Sequence, residues 1–161
     1  MTTIEYATRL VYPAALSLLP RHMDTPEARA MLTAIGLQES AFAARRQADD
    51  GPARGFWQFE PAGVRAVLNH RASQPHIVAA LVTLGYSALA DTSSRAIEHN
   101  DVLACVYARL LVWTHPQRLP RQGERAYAQE YYLWLWRPGR PRLDKWPANF
   151  ERAWQLEGGG S

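Results

Sequence analysis

Glu39 is the residue whose surroundings in the chain most favour chemistry. It stands four residues after Ile35 and seven after Leu32, so at about 100° per residue it leaves a helix from the same side as both. The segment before it contains Ala28, Ala30, Met31, Leu32, Ala34, Ile35, Gly36 and Leu37, with only Arg29, Thr33 and Gln38 polar in its middle. A helix apolar almost all round is buried rather than laid on a surface. The chain therefore places a carboxylate at the end of what reads as its most buried helix. Desolvation disfavours the charged form, and the C-terminal end of the macrodipole is unfavourable for a negative charge. Both effects push the pKa of Glu39 toward the range of a general acid near neutral pH. The structural alternative is an ion pair with Arg45 or Arg46, just beyond the helix.

Other chemistry-bearing residues are fewer. Asp49, Asp50 and Glu60 are candidates for a second acid, although Asp49-Asp50-Gly51-Pro52 also suits a tight turn. His22, His70, His76, His99 and His115 show no metal-ligand spacing. Ser40 lacks the Gly-x-Ser-x-Gly elbow of a nucleophile and is better placed to hydrogen-bond Glu39 or a backbone group. No phosphate loop or dinucleotide fingerprint occurs. No metal and no cofactor is implied.

The elements that must position these groups read as helices. Thr25-Pro26-Glu27 supplies an N-cap, a proline at the first helical position and an early acid, predicting a helix from Pro26 to about Gln38. Gly36 inside it costs about 1 kcal/mol relative to Ala, which suggests close approach of another backbone. Glu60-Pro61, Gln74-Pro75 and Asn100-Asp101 mark further helix starts, and Pro20, Pro116 and Pro120 mark breaks. Apolar residues recur at helical spacing at Val64, Val67 and Leu68, at Ile77, Leu81 and Leu84, and at Val102, Cys105, Val106, Leu110 and Trp113. One long irregular stretch runs from about Arg45 to Phe56, a length more often functional than idle. The expected fold is mainly α, with seven to nine short helices and at most a small β-hairpin near residues 45–58.

The 161 residues are one domain's worth, assigned to residues 1–157, with 158–161 a flexible Gly/Ser tail. A hydrophobic fraction of 47% and a charged fraction of 20% exclude a disordered chain. The longest apolar stretch, about Val102 to Trp113, is interrupted by Arg109 and is too short to span a membrane. The start MTTIEYATRL has no Sec-type signal peptide. The single Cys105 excludes an internal disulfide framework. A net charge of +3 and a pI near 9.3, with Lys145 the one basic residue that is not Arg, favour an anionic polymer as partner.

Glu39-Ser40-Ala41-Phe42 and, thirteen residues on, Gly55-Phe56-Trp57-Gln58 resemble the first two motifs of lytic transglycosylases and related lysozyme-like muramidases. The likeness covers about residues 28–60 and is nearest to muramidase-like proteins of bacteriophages and prophages, some particle-associated. It implies a lysozyme-like fold, Glu39 as acid and then base, and Ser40, Gly55, Phe56, Trp57 and Gln58 beside the sugar cleft. Gly51-Pro52-Ala53-Arg54-Gly55 departs from the usual Gly-Ala-x-Gly, and Phe56-Trp57 from the usual Leu-Met. The third motif, Ala-Tyr-Asn, has no clean match; its tyrosine role falls to Tyr127, Tyr131 or Tyr132.

The implied activity is cleavage of the β-1,4 bond between MurNAc and GlcNAc in peptidoglycan, as a non-hydrolytic transglycosylase that needs one glutamate. A hydrolase would use a second carboxylate, Asp49 or Asp50, for water. Sugar clefts combine aromatic platforms with amide and Arg donors; Tyr131, Tyr132, Trp134, Trp136 and Trp146 with Arg137, Arg140 and Arg142 form such a mixture. The i, i+4 pairs Tyr131–Leu135 and Tyr132–Trp136 equally suit a core. Trp57 is the better cleft candidate, with packing under the loop as its alternative. Rival classes are an Arg-rich DNA-binding module, whose basic residues here form no stripe, and a non-catalytic phage structural protein. The expectation is a monomer made in the bacterial cytoplasm, with no nucleic-acid partner. It would reach peptidoglycan glycan strands through a holin-type pore or in a virion.

Overall fold

Each proline-marked helix start is used. In the computed structural model, which describes residues 1–159, α3 spans Pro26–Ser40, α4 Pro61–Asn69, α5 Gln74–Leu84, α6 Ala90–His99 and α7 Asp101–Trp113. Thr25 caps α3 by accepting from the Ala28 amide at 3.1 Å, and Asn100 caps α7 by accepting from Leu103 at 3.0 Å. Before them, α1 (Thr3–Tyr6), a π-helical turn (Ala7–Val11) and α2 (Tyr12–Leu16) run end to end. After them come α8 (Arg125–Trp136) and α9 (Trp146–Gly158). The fold is mainly α. Among the described residues no strand forms; the small hairpin shrinks to isolated bridges between Arg46 and Arg54 and between Arg54 and Phe59. Helix α9 continues through Gly158, so the first residue of the expected tail is helical, while Gly160 and Ser161 lie outside the described residues.

The most buried helix is α7, not α3. From Leu103 to Val112 every residue of α7 is buried, and α2, α3, α4, α5 and α6 all pack on it. Fully burying each large apolar side chain contributes about 1.5–3 kcal/mol, so this rod is the principal source of cohesion. Arg109, which interrupts its apolar run, is itself 1% exposed. Its Nε donates to the Met23 carbonyl at 2.8 Å, tying α7 to the turn that leads into α3. Helix α3 is buried from Met31 to Gly36 and packs along α9 as well as α7.

Gly36 faces a ring rather than another backbone. A Cβ there would lie 2.2 Å from Cζ of Phe42. Ala41 and Phe42 take φ of 53° and 54°, and this left-handed pair turns the chain back so that the Phe42 ring lies against the helix it has just left. Gly36→Ala must displace that fully buried ring. The expected loss is about 1–3 kcal/mol, read as a lowered midpoint in a denaturant melt.

Candidate active site

Glu39 occupies the last turn of α3, half-buried. Its neighbour Ser40 joins the two sequence motifs. The Ser40 hydroxyl donates to the Phe56 carbonyl at 2.7 Å and accepts from the Phe42 amide at 3.1 Å. The backbone alternative for Ser40 is therefore the one realised. Beneath this stitch, Phe42, Phe56 and Trp57 form an aromatic cluster, with Phe42–Phe56 centroids 5.4 Å apart and Phe42 meeting Trp57 edge-on at 5.7 Å. Such contacts add about 0.5–1.5 kcal/mol each beyond area burial.

The second segment is a tight turn. The Gly55 amide donates to the Arg45 carbonyl at 2.7 Å, and the Gly55 carbonyl accepts both the Gln58 amide and the Gln58 Nε2, each at 2.9 Å. Gly55 has φ +76°, and a Cβ on it would lie 2.9 Å from Ile97 Cγ2, so both conformation and space require glycine. Gln58, half-buried, has φ 48°. Phe56 and Trp57 are fully buried. The Trp57 indole N–H donates to the Leu32 carbonyl at 2.9 Å, anchoring the turn to α3. Trp57 thus takes the packing alternative: with no solvent-facing surface, neither it nor Phe56 is a platform for a ligand, because an aromatic beside an apolar helix gains more from burial than from exposure.

Helix α8 closes the site. The Tyr132 hydroxyl donates to Glu39 Oε1, and one turn on, Trp136 Nε1 donates to the Trp57 carbonyl at 2.9 Å. One face of α8 therefore grips both motifs. The Tyr132 ring is stacked on Trp146 at 4.9 Å and 10°, which holds the hydroxyl in place. Gln38 adds a link to α9, accepting from Asn149 at 3.0 Å and donating to the Arg142 carbonyl at 2.9 Å.

The electrostatics of Glu39 follow from these neighbours. Burial raises its pKa from the ordinary carboxyl range to about 7; the Tyr132 hydrogen bond opposes this and the negative charge of Glu60 adds to it. Among the described residues no cation pairs with it. The two candidates have other partners: Arg45 makes a double hydrogen bond to Asp101, both at 2.8 Å, and Arg46 reaches Glu98 at 3.0 Å. At neutral pH the carboxyl is present in both forms, able to give a proton and to take one back.

The other predicted residues lie elsewhere. Tyr131 is buried, donating to the Val112 carbonyl at 3.3 Å and stacking on His115 at 3.7 Å. Tyr127 donates to the Arg118 carbonyl. Of the three tyrosines, Tyr132 alone bonds Glu39. Asp49 and Asp50 form an exposed 3-10 turn, Asp50 reaching Arg46 at 3.4 Å; the carboxylate that acts on Glu39 is Glu60. Trp146 is buried, Trp134 is exposed, and Arg137, Arg140 and Arg142 point to solvent. The roles of Trp136 and Gln38 in bracing the site went unread. The i, i+4 spacing of Tyr132 and Trp136 was the available signal for the first. Among the described residues no cluster of His, Cys, Asp and Glu could hold a metal ion.

Tyr132→Phe removes the hydrogen bond that favours the ionised carboxylate. The Glu39 pKa is expected to rise above 7 in the variant, followed by carbon-detected NMR titration of the glutamate side chains; a fall would show that the hydroxyl does not donate to it.

No family model, curated protein or solved structure matches this chain.

Proposed function

We propose that this protein cleaves the β-1,4 glycosidic bond between MurNAc and GlcNAc in peptidoglycan as a lytic transglycosylase, on a lysozyme-like scaffold. The observation that carries the proposal is Glu39 itself: a half-buried carboxyl, paired with no cation among the described residues, held by the Tyr132 hydroxyl, with its pKa raised to about 7. It stands in a motif order, Glu-Ser-x-Phe then Gly-Phe-Trp-Gln, that Ser40 bonds together. In the proposed reaction the Glu39 carboxylic acid protonates the leaving glycosidic oxygen as its bond to the anomeric carbon breaks. The neighbouring N-acetyl group stabilises the positive charge at that carbon. Glu39, now a carboxylate, takes the proton of the sugar's 6-hydroxyl, whose oxygen closes on the anomeric carbon to give an anhydro ring. The proton balance of the glutamate is restored at the end of the cycle.

A hydrolytic outcome is the second reading, favoured by the charge of Glu60 acting on Glu39, with Glu60 rather than Asp49 or Asp50 as base for water. Anhydro product ends support the first route and reducing ends the second. A DNA-binding role draws little support from the arginines, since Arg29, Arg45, Arg46, Arg54, Arg118 and Arg125 each pair with an acid of this chain.

Glu39→Gln is expected to abolish lysis of purified sacculi, with a rate loss of about 10²–10⁴-fold or more, while leaving the helical circular dichroism intact. Stability supplies the sign control. A raised folded-state pKa means that the native state holds more protons than the unfolded chain between about 4.5 and 7, so the carboxyl's cost is absent below this window and complete above it. The Gln variant should therefore be more stable than wild type at pH 8, by about 1–3 kcal/mol after allowance for partial exposure, and no more stable than wild type at pH 4. Lytic rate in the wild type should fall as pH rises through about 7. Retained lysis by Glu39→Gln would overturn the mechanism.

A further inference from the structure

From Ala72 to Ala90 the chain carries no Asp, Glu, Lys or Arg. Its exposed positions include three large aliphatics, Val82 at 73%, Leu89 at 64% and Val78 at 39%, beside the uncharged Gln74, Thr83 and Ser87. Val78 and Val82 lie one turn apart on α5 and Leu89 lines the same cleft as Val78; contiguous exposed apolar surface marks an interaction site. At one end they border a cleft of about 320 Å³, lined by Arg65, Leu68, Asn69, Val78 and Leu89 among others. Charge along the sequence through the patch is mainly basic, with Glu60 and Glu98 just outside it. Between Pro61 and Ile97 the sole acid is Asp91, against Arg65, Arg71 and Arg95. Arg95 donates to the Asp91 carbonyl and lies beside that acid on α6, whereas Arg65 and Arg71 are exposed and among the described residues pair with no acid.

We infer that this face, α5 with the Ala88–Ala90 turn and the end of α4, docks on an anionic lipid surface. Val82, Leu89 and Val78 enter the acyl boundary while Arg65 and Arg71 meet lipid phosphates. Two features favour lipid over protein. Protein interfaces concentrate their energy in Trp, Tyr and Arg anchors set in pockets, and the protruding side chains here are short aliphatics with no hydrogen bond to direct. A second copy meeting the same face in a two-fold dimer would bring two sets of Arg65 and Arg71 together, which like charge opposes. An exposed apolar face with Arg65 in the cleft beside it, and Arg71 just before α5 in the chain, suits an interfacial, non-spanning contact. The docking is independent of the chemistry at Glu39.

The test is co-sedimentation of the whole chain with vesicles of phosphatidylcholine alone or mixed with phosphatidylglycerol. Wild type should pellet with the mixed vesicles at low salt and be released by high salt. Arg65→Gln with Arg71→Gln should weaken partitioning about 10–30-fold, from two surface charges, and Val82→Asp with Leu89→Asp should weaken it at least as much. Both pairs lie at exposed positions, and unchanged melting curves would establish that the fold is kept. No pelleting with the mixed vesicles, or pelleting equal in all variants, overturns the inference. So does concentration-dependent self-association in sedimentation velocity that Val82→Asp with Leu89→Asp abolishes, since the face would then be covered by a second copy.

Discussion

Glu39 is held by a hydroxyl where a cation would ordinarily sit. A buried carboxylate usually survives by pairing with Arg or Lys, and the pair then pins it in the ionised state. Here the nearest guanidinium groups in the chain, Arg45 and Arg46, are drawn off by Asp101 and Glu98, while Tyr132 supplies one neutral donor. A neutral donor satisfies part of the hydrogen-bonding need of the carboxyl without fixing its charge. The balance between desolvation and that single bond is what leaves Glu39 close to neutrality.

Much of the surrounding structure serves to maintain that balance. Asp101 is both the first residue of α7 and the partner of Arg45 and Tyr6, so the central helix disposes of the cation that would otherwise be free to approach. The Arg45 guanidinium also lies 4.2 Å over the Phe56 ring, a second attraction that holds it. On the opposite flank Trp146 immobilises Tyr132 by stacking, and Trp136 pins the Gly55–Gln58 turn through the Trp57 carbonyl.

The carboxyl is reached through backbone that side-chain chemistry alone would not favour. Ala41, Phe42 and Gln58 all have positive φ, a conformation that costs non-glycine residues of order 1 kcal/mol or more each. The burial of Phe42 against Gly36 and the Ser40 bond to Phe56 offset that cost. Asp49, Asp50 and Arg137 share this conformation at exposed turns, where no such packing accompanies it.

Helix starts, the apolar character of α3 and the carboxyl at its end were legible from residue order alone, because caps, proline positions and a 3.6-residue period act over a few neighbours. The upward direction of the Glu39 pKa was legible for the same reason. Which tyrosine reaches it was not: Tyr127, Tyr131 and Tyr132 share one helix, and the choice depends on the rotation of α8 against α3, 93 residues away. The burial of Trp57, the diversion of Arg45 to Asp101, and the influence of Glu60 in place of Asp49 or Asp50 are likewise products of packing between distant elements. Local sequence set which groups were offered; three-dimensional packing selected the partners, since pairing energies depend on distances that no local pattern encodes.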